Sequence, residues 1–142
     1  MKKLKFLSMF LFTGALITSC SSDDDALPEP VNEEELITTL MVTLTPDDGG
    51  ETVLLSYRDL DGDGPNPPVT DISGNLSANT MYSGNVKVLN ELETPVEDIT
   101  EEVEEEGDEH QFFYTLGSSL DATVSYNDVD EDGMPVGIEF DL

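Results

Sequence analysis

One nine-residue pattern occurs twice in this chain and constrains what can surround it. Ser56-Tyr57-Arg58-Asp59-Leu60-Asp61-Gly62-Asp63-Gly64 returns as Ser125-Tyr126-Asn127-Asp128-Val129-Asp130-Glu131-Asp132-Gly133, so both copies read S-Y-x-D-x-D-x-D-G. Carboxylates at alternate positions, followed by a glycine that lets the chain turn, suit a hard cation that gathers oxygens from a folded loop. The candidate calcium ligands are Asp59, Asp61 and Asp63 in the first copy, and Asp128, Asp130 and Asp132 in the second. Glu139 stands at the twelfth position of the second loop, which completes an EF-hand loop pattern there, whereas the first copy has Thr70. The alternative is a pair of solvated Asp-Gly turns that need no ion. Magnesium fits a loose loop less well than calcium.

The flanks are not those of an EF-hand. Thr52 to Tyr57 and Ala122 to Tyr126 are rich in β-branched and aromatic residues and read as strands. Pro65, Pro67 and Pro68 forbid a helix after the first loop, and Pro135 discourages one after the second. The pattern is therefore strand, acidic loop, strand, twice. Val136, Ile138 and Phe140 alternate with Glu139, which puts Glu139 on the opposite face of a strand and leaves its place among the ligands open.

The amino terminus carries a processing signal. Lys2, Lys3 and Lys5 precede an apolar run from Phe6 to Ile17, too short for a membrane-spanning helix. Ile17-Thr18-Ser19-Cys20 resembles a bacterial lipobox, in which the cysteine is acylated and becomes the first residue. Removing residues 1–19 takes three of the five basic residues and none of the 32 acidic ones, so 123 residues remain and the formal charge moves from −27 to −30. That length supports one domain. With no cysteine beyond Cys20, no disulfide contributes. So acidic a surface repels nucleic acid and anionic headgroups and attracts metal cations or basic protein patches.

Residues 20–35 combine acidic residues and prolines with few apolar ones, the composition of a disordered tether. An acidic run directly after a lipidated cysteine also resembles the surface-export signal of Bacteroidota lipoproteins, which implies an outer-membrane anchor with the domain facing outward. The alternative is a solubilising linker in the periplasm.

From residue 36 onward the chain reads as one domain. Leu36 to Leu44 alternates, Pro46 to Gly50 forms a turn, and Thr52 to Tyr57 returns as the second arm of a hairpin. Val69 to Ile72 is a short extended piece, and Tyr82, Gly84, Val86 and Val88 share one face of a strand. Leu76-x-x-x-Thr80-x-Tyr82 resembles the tyrosine corner of immunoglobulin and fibronectin type III domains. Thr94-Pro95-Val96-Glu97 reads as a capping box with proline at the first helical position, and Val96, Ile99 and Val103 make an apolar stripe on an otherwise acidic helix ending at Gly107. Gln111 to Leu116 is a further apolar strand. About seven strands and one short helix predict an all-β, immunoglobulin/fibronectin-III-like antiparallel β-sandwich over 36–142.

Several stretches together resemble a group of small Bacteroidota lipoproteins found beside TonB-dependent receptors, some filed as type 1 periplasmic binding fold or GTP cyclohydrolase. They are Asn32 to Glu35 leading into Ile37 to Pro46, Asp59 to Pro65, Val88 to Glu91, Glu97 to Glu106, and Asp108-Glu109-His110-Gln111-Phe112-Phe113-Tyr114. The resemblance implies an accessory role at a TonB-dependent receptor. It also implies two further strands at the carboxyl end, so that this chain lacks part of the closing sheet. The length is too small for a bilobal binding protein, and the Cys/His zinc set of cyclohydrolase chemistry is missing.

The residues argue against an enzyme. There is one histidine, His110, no phosphate-binding glycine loop, and no zinc spacing such as C-x-x-C or H-E-x-x-H. His110 with Glu106, Asp108 and Glu109 could hold a transition metal, since imidazole with carboxylates suits zinc or iron. The residues alone favour a polar strand start beside a solvated helix, because Gly107 is expected to break the geometry that would align Glu106 with His110. The expected role is a calcium-stabilised binding module on a lipid anchor. The alternative is a structural or interaction domain with no ligand beyond calcium.

Overall fold

The first hairpin forms where the alternation places it. In a computed structural model that describes residues 35–62 and 64–142, β1 (Thr39–Pro46) pairs antiparallel with β2 (Val53–Arg58), and Val42 lies opposite Leu55. The turn closes through the Gly49 amide donating to the Pro46 carbonyl, with Gly49 at φ +82°. β3 (Val69–Ile72) adds to the outer edge of β2. On the other side β1 meets β4 (Tyr82–Asn90) along its full length, with Leu40 opposite Val88 and Val42 opposite Val86.

Two elements share the far edge of β4. β7 (Glu139–Asp141) pairs with its first half and β5 (Glu97–Asp98) with its last residues, while β6 (Ser125–Tyr126) pairs with β7. The result is a single seven-stranded antiparallel sheet in the order β3-β2-β1-β4-β7-β6, with β5 beside β4. One face of it is apolar. Leu44, Val53, Tyr82, Val86, Val88 and Phe140 are buried there, and Ile99, Val103, Val136 and Ile138 close over them. Gly84 sits under the Phe140 ring, where an added Cβ would lie 2.3 Å from Cζ. The other face mixes polar residues with Met41, Leu54 and Leu89 and carries both basic residues of the described chain, each in an ion pair: Arg58 with Glu91 and Lys87 with Asp98.

Three sequence expectations change. The helix α1 (Thr100–Glu105) is six residues long and starts well after the capping box. Glu97 and Asp98 pair with β4, and Val96 is 53% exposed, so Ile99 and Val103 alone form the buried stripe. Residues 111–116 run extended with Phe112 and Tyr114 turned inward, but they are not a strand of the sheet. Their ties are the Phe112 amide to the Val136 carbonyl, the Tyr114 hydroxyl to the Gly137 carbonyl, and the Tyr126 hydroxyl to the Phe112 carbonyl. The strand expected over 122–126 shortens to β6. The layer over the apolar face is thus a helix and extended segments, so among the described residues the fold is all-β with one sheet and one short helix.

The backward hydrogen bond expected of Tyr82 is present. Tyr82 is 3% exposed, and its hydroxyl accepts a 2.8 Å hydrogen bond from the Ser77 amide, which ties the preceding connection to the core.

Candidate metal centre

The first acidic loop is anchored at its base. The Asp59 amide donates to the Thr38 carbonyl at 2.8 Å, and the neighbouring Arg58 guanidinium holds Glu91, which also accepts from the Thr39 hydroxyl at 2.6 Å. The Arg58 and Thr39 hydrogen bonds draw the Glu91 carboxyl down to about 2. Asp61 shapes the turn: its carbonyl accepts from the Gly64 amide and its Oδ2 from the Asn66 side chain at 2.7 Å. Gly62 has φ +53°, and a Cβ on Gly64 would fall 2.7 Å from the Cβ of Asp61, so both glycines are needed by the backbone path. Asp59 Oδ1 is buried and has no hydrogen-bond partner among the described residues. Asp63 lies outside them.

The second loop uses its acids differently. Asp128 Oδ1 accepts from the Gly137 amide, and Oδ2 accepts from the amides of Ile138 and Glu139, at 2.6 to 3.0 Å. Asp130 Oδ1 accepts from the Met134 amide at 2.7 Å, and its own amide donates to the Met134 carbonyl. These bonds close the β6–β7 hairpin around Gly133, which has φ +82°. Asp132 and Glu139 point to solvent, with Glu139 on the exposed face as its alternation predicts. The carboxylates of Asp128, Asp130, Asp132 and Glu139 do not converge on one point. Behind the loop, burial, with Asp128 and Tyr126 nearby, pushes the Tyr114 hydroxyl well above its ordinary range.

A third cluster does converge, and it differs from the one the sequence suggests. After α1 the chain continues through a turn in which the Glu109 amide donates to the Glu106 carbonyl, and Gly107 is buried against Val136 and Asp130. Gly107 therefore does not separate Glu106 from His110. His110 Nε2 lies 3.7 Å from Glu106 Oε2 and 3.6 Å from Glu35 Oε1. The three ligand atoms all lie within 4.8 Å of one another, and among the described residues this is the one such group. Asp108 and Glu109 are exposed and stand outside it. His110 Nε2 and Glu106 Oε2 are shielded from solvent and have no hydrogen-bond partner among the described residues.

Glu35 was not recoverable from sequence. It closes the acidic tract read as tether and stands 75 positions from His110, and only the path into β1 brings it beside the turn after α1. Cys20 and the processing signal lie outside the described residues. No helix among the described residues is long and apolar enough to cross a membrane. No family model, curated protein or solved structure matches the chain.

Proposed function

We propose that the protein is a non-catalytic binding module, held at the outer membrane by an acyl chain on Cys20 and stabilised by calcium in its first acidic loop. The observation that carries the ion is the buried Oδ1 of Asp59, which has no hydrogen-bond partner among the described residues. A carboxylate oxygen cut off from water and from donors is costly unless a cation meets it. Asp61 and Asp63 are the further ligands of that loop, with carbonyl oxygens and water completing the shell of six to eight that calcium takes. In the second loop Asp128 and Asp130 serve first as acceptors for backbone amides, so Asp132 and Glu139 are secondary candidates.

The lipobox and acidic tether support placement on the outward face of the membrane, and the family resemblance supports a place beside a TonB-dependent receptor. We read the layer over the sheet, 111–116 and 122–126, as the second wall of an immunoglobulin/fibronectin-III-like sandwich, on the strength of the Tyr82 corner. A purely structural domain is the competing reading.

Thermal melts of the full chain in EDTA, then in millimolar calcium or magnesium, test the ion. Calcium alone should raise Tm, by the equivalent of about 2.7 kcal/mol at a concentration about 100 times Kd. Asp59→Asn should abolish that shift. No shift with calcium, or an equal shift in Asp59→Asn, refutes the site.

A further inference from the structure

We propose that Glu35, Glu106 and His110 form a second, chemically distinct metal site that takes a first-row divalent cation, zinc above all. The proposal goes beyond the calcium reading and does not rest on it. A tetrahedral zinc ion with bonds of about 2.0–2.1 Å holds its donor atoms about 3.3–3.4 Å apart. The two carboxylate oxygens stand 3.6 and 3.7 Å from Nε2, a few tenths of an ångström beyond that spacing, and within 4.8 Å of each other, so an ion could be seated by drawing the three donors together.

The competing account is a protonated His110 paired with both acids. Hydrogen bonds to a charged donor close to about 2.7–2.9 Å, and neither oxygen comes that near. Nε2 and Glu106 Oε2 are meanwhile withdrawn from water without a hydrogen-bond partner among the described residues. A cation at their centre satisfies all three atoms at once.

The donor set also selects the ion. A neutral imidazole nitrogen beside two carboxylates favours zinc or iron over calcium, which prefers oxygen alone and more of it. Two carboxylates balance the charge of a divalent ion, and three protein donors leave one position for water or an added ligand. Asp108 and Asp130 line a cavity of about 490 Å³ beside His110, so their charge disfavours an anion there and favours water or a neutral nitrogen or oxygen donor. Glu35 precedes β1 and Glu106 follows α1, so the ion ties the chain entering the sheet to the turn leaving the helix.

Zinc binding to the full chain, measured by calorimetry in excess calcium to occupy the acidic loops, tests the site. Cobalt provides a second readout through the visible bands of a tetrahedral complex. One equivalent of zinc should bind, with a loss of ~100-fold in His110→Asn and ~10-fold in each of Glu35→Gln and Glu106→Gln. Asp71→Asn, on β3 at the far edge of the sheet, should bind as the wild type does. If His110→Asn alters the melting temperature in EDTA, the two glutamine variants decide. No zinc binding in excess calcium overturns the proposal, as does unchanged affinity in Glu35→Gln and Glu106→Gln. Failure of the calcium melts would leave this result untouched, because the two sites share no residue.

Discussion

At the scale of single residues, Gly84 decides how closely β4 and β7 meet. It lies opposite Phe140 in the ladder, and the Phe140 ring fills the space that a side chain would occupy. The ring is itself buried, and Tyr114 packs on it with ring centroids 4.2 Å apart, so it cannot swing aside freely. Gly84→Ala should therefore destabilise the fold by about 1–3 kcal/mol, read as a lower urea midpoint, although alanine ordinarily suits a strand better than glycine. Glu91 makes a second prediction at this scale. Its carboxyl is drawn down to about 2 by the Arg58 and then the Thr39 hydrogen bonds, so the folded state favours the ionised form. That stabilisation is present above the unfolded value near 4.5 and lost as pH falls through 2. Glu91→Gln should lie below the wild type in stability at pH 7, and the gap should close between these two values. A gap of constant size across an acid titration of urea midpoints would refute the linkage.

At the scale of elements, the short helix is held by contacts rather than by its own preference. Six residues are too few to be helical alone, and Ile99 at the N-cap makes no side-chain cap bond. What remains is Ile99 and Val103, each 2% exposed against the sheet, with the Thr100 hydroxyl accepting from the Val88 amide at 3.0 Å. Ile99→Ala should cost about 2–5 kcal/mol by urea denaturation, and where the variant stays folded it should also weaken zinc binding, since α1 carries Glu106 to its place. The same elements show what sequence can reveal. β1 and β4 were legible because their apolar residues alternate, β2 from its β-branched and aromatic run, β7 from the alternation of Val136, Ile138 and Phe140, and the backward hydrogen bond of Tyr82 from the pattern before it. The helix start was not. A capping box is a local signal, and pairing of Glu97 and Asp98 with β4 displaced the start to Thr100. The segment 111–116 alternates as a strand does, yet it lies over the sheet rather than along an edge. The acidic repeat was legible as a loop pattern, but the separate uses of Asp59 and Asp128 depend on which amides reach them. Glu35 carried no local signal at all.

At the scale of the whole molecule, charge opposes folding, and salt can show by how much. The chain holds 32 acidic residues against five basic ones, and the two basic residues in the described part are both ion-paired at the surface. Added salt weakens those two pairs, but exposed pairs are worth about 0–1 kcal/mol each. It also screens the repulsion among the carboxylates, a term that grows with the net charge and acts over distances beyond the Debye length of about 10 Å at 0.1 M. Repulsion should win. In EDTA, the melting temperature of the full chain should therefore rise from 0.01 M to 0.5 M tetramethylammonium chloride, a salt whose cation cannot enter the acidic loops. Calcium at millimolar concentration should raise it further and reduce the remaining salt dependence, because an ion bound at Asp59 neutralises part of the same charge. A melting temperature that falls with this salt would mean that the two ion pairs, rather than the acidic surface, dominate the electrostatics of the fold. A calcium effect that vanishes at high salt would mean that calcium acts as a diffuse counterion and not as a ligand of the loop.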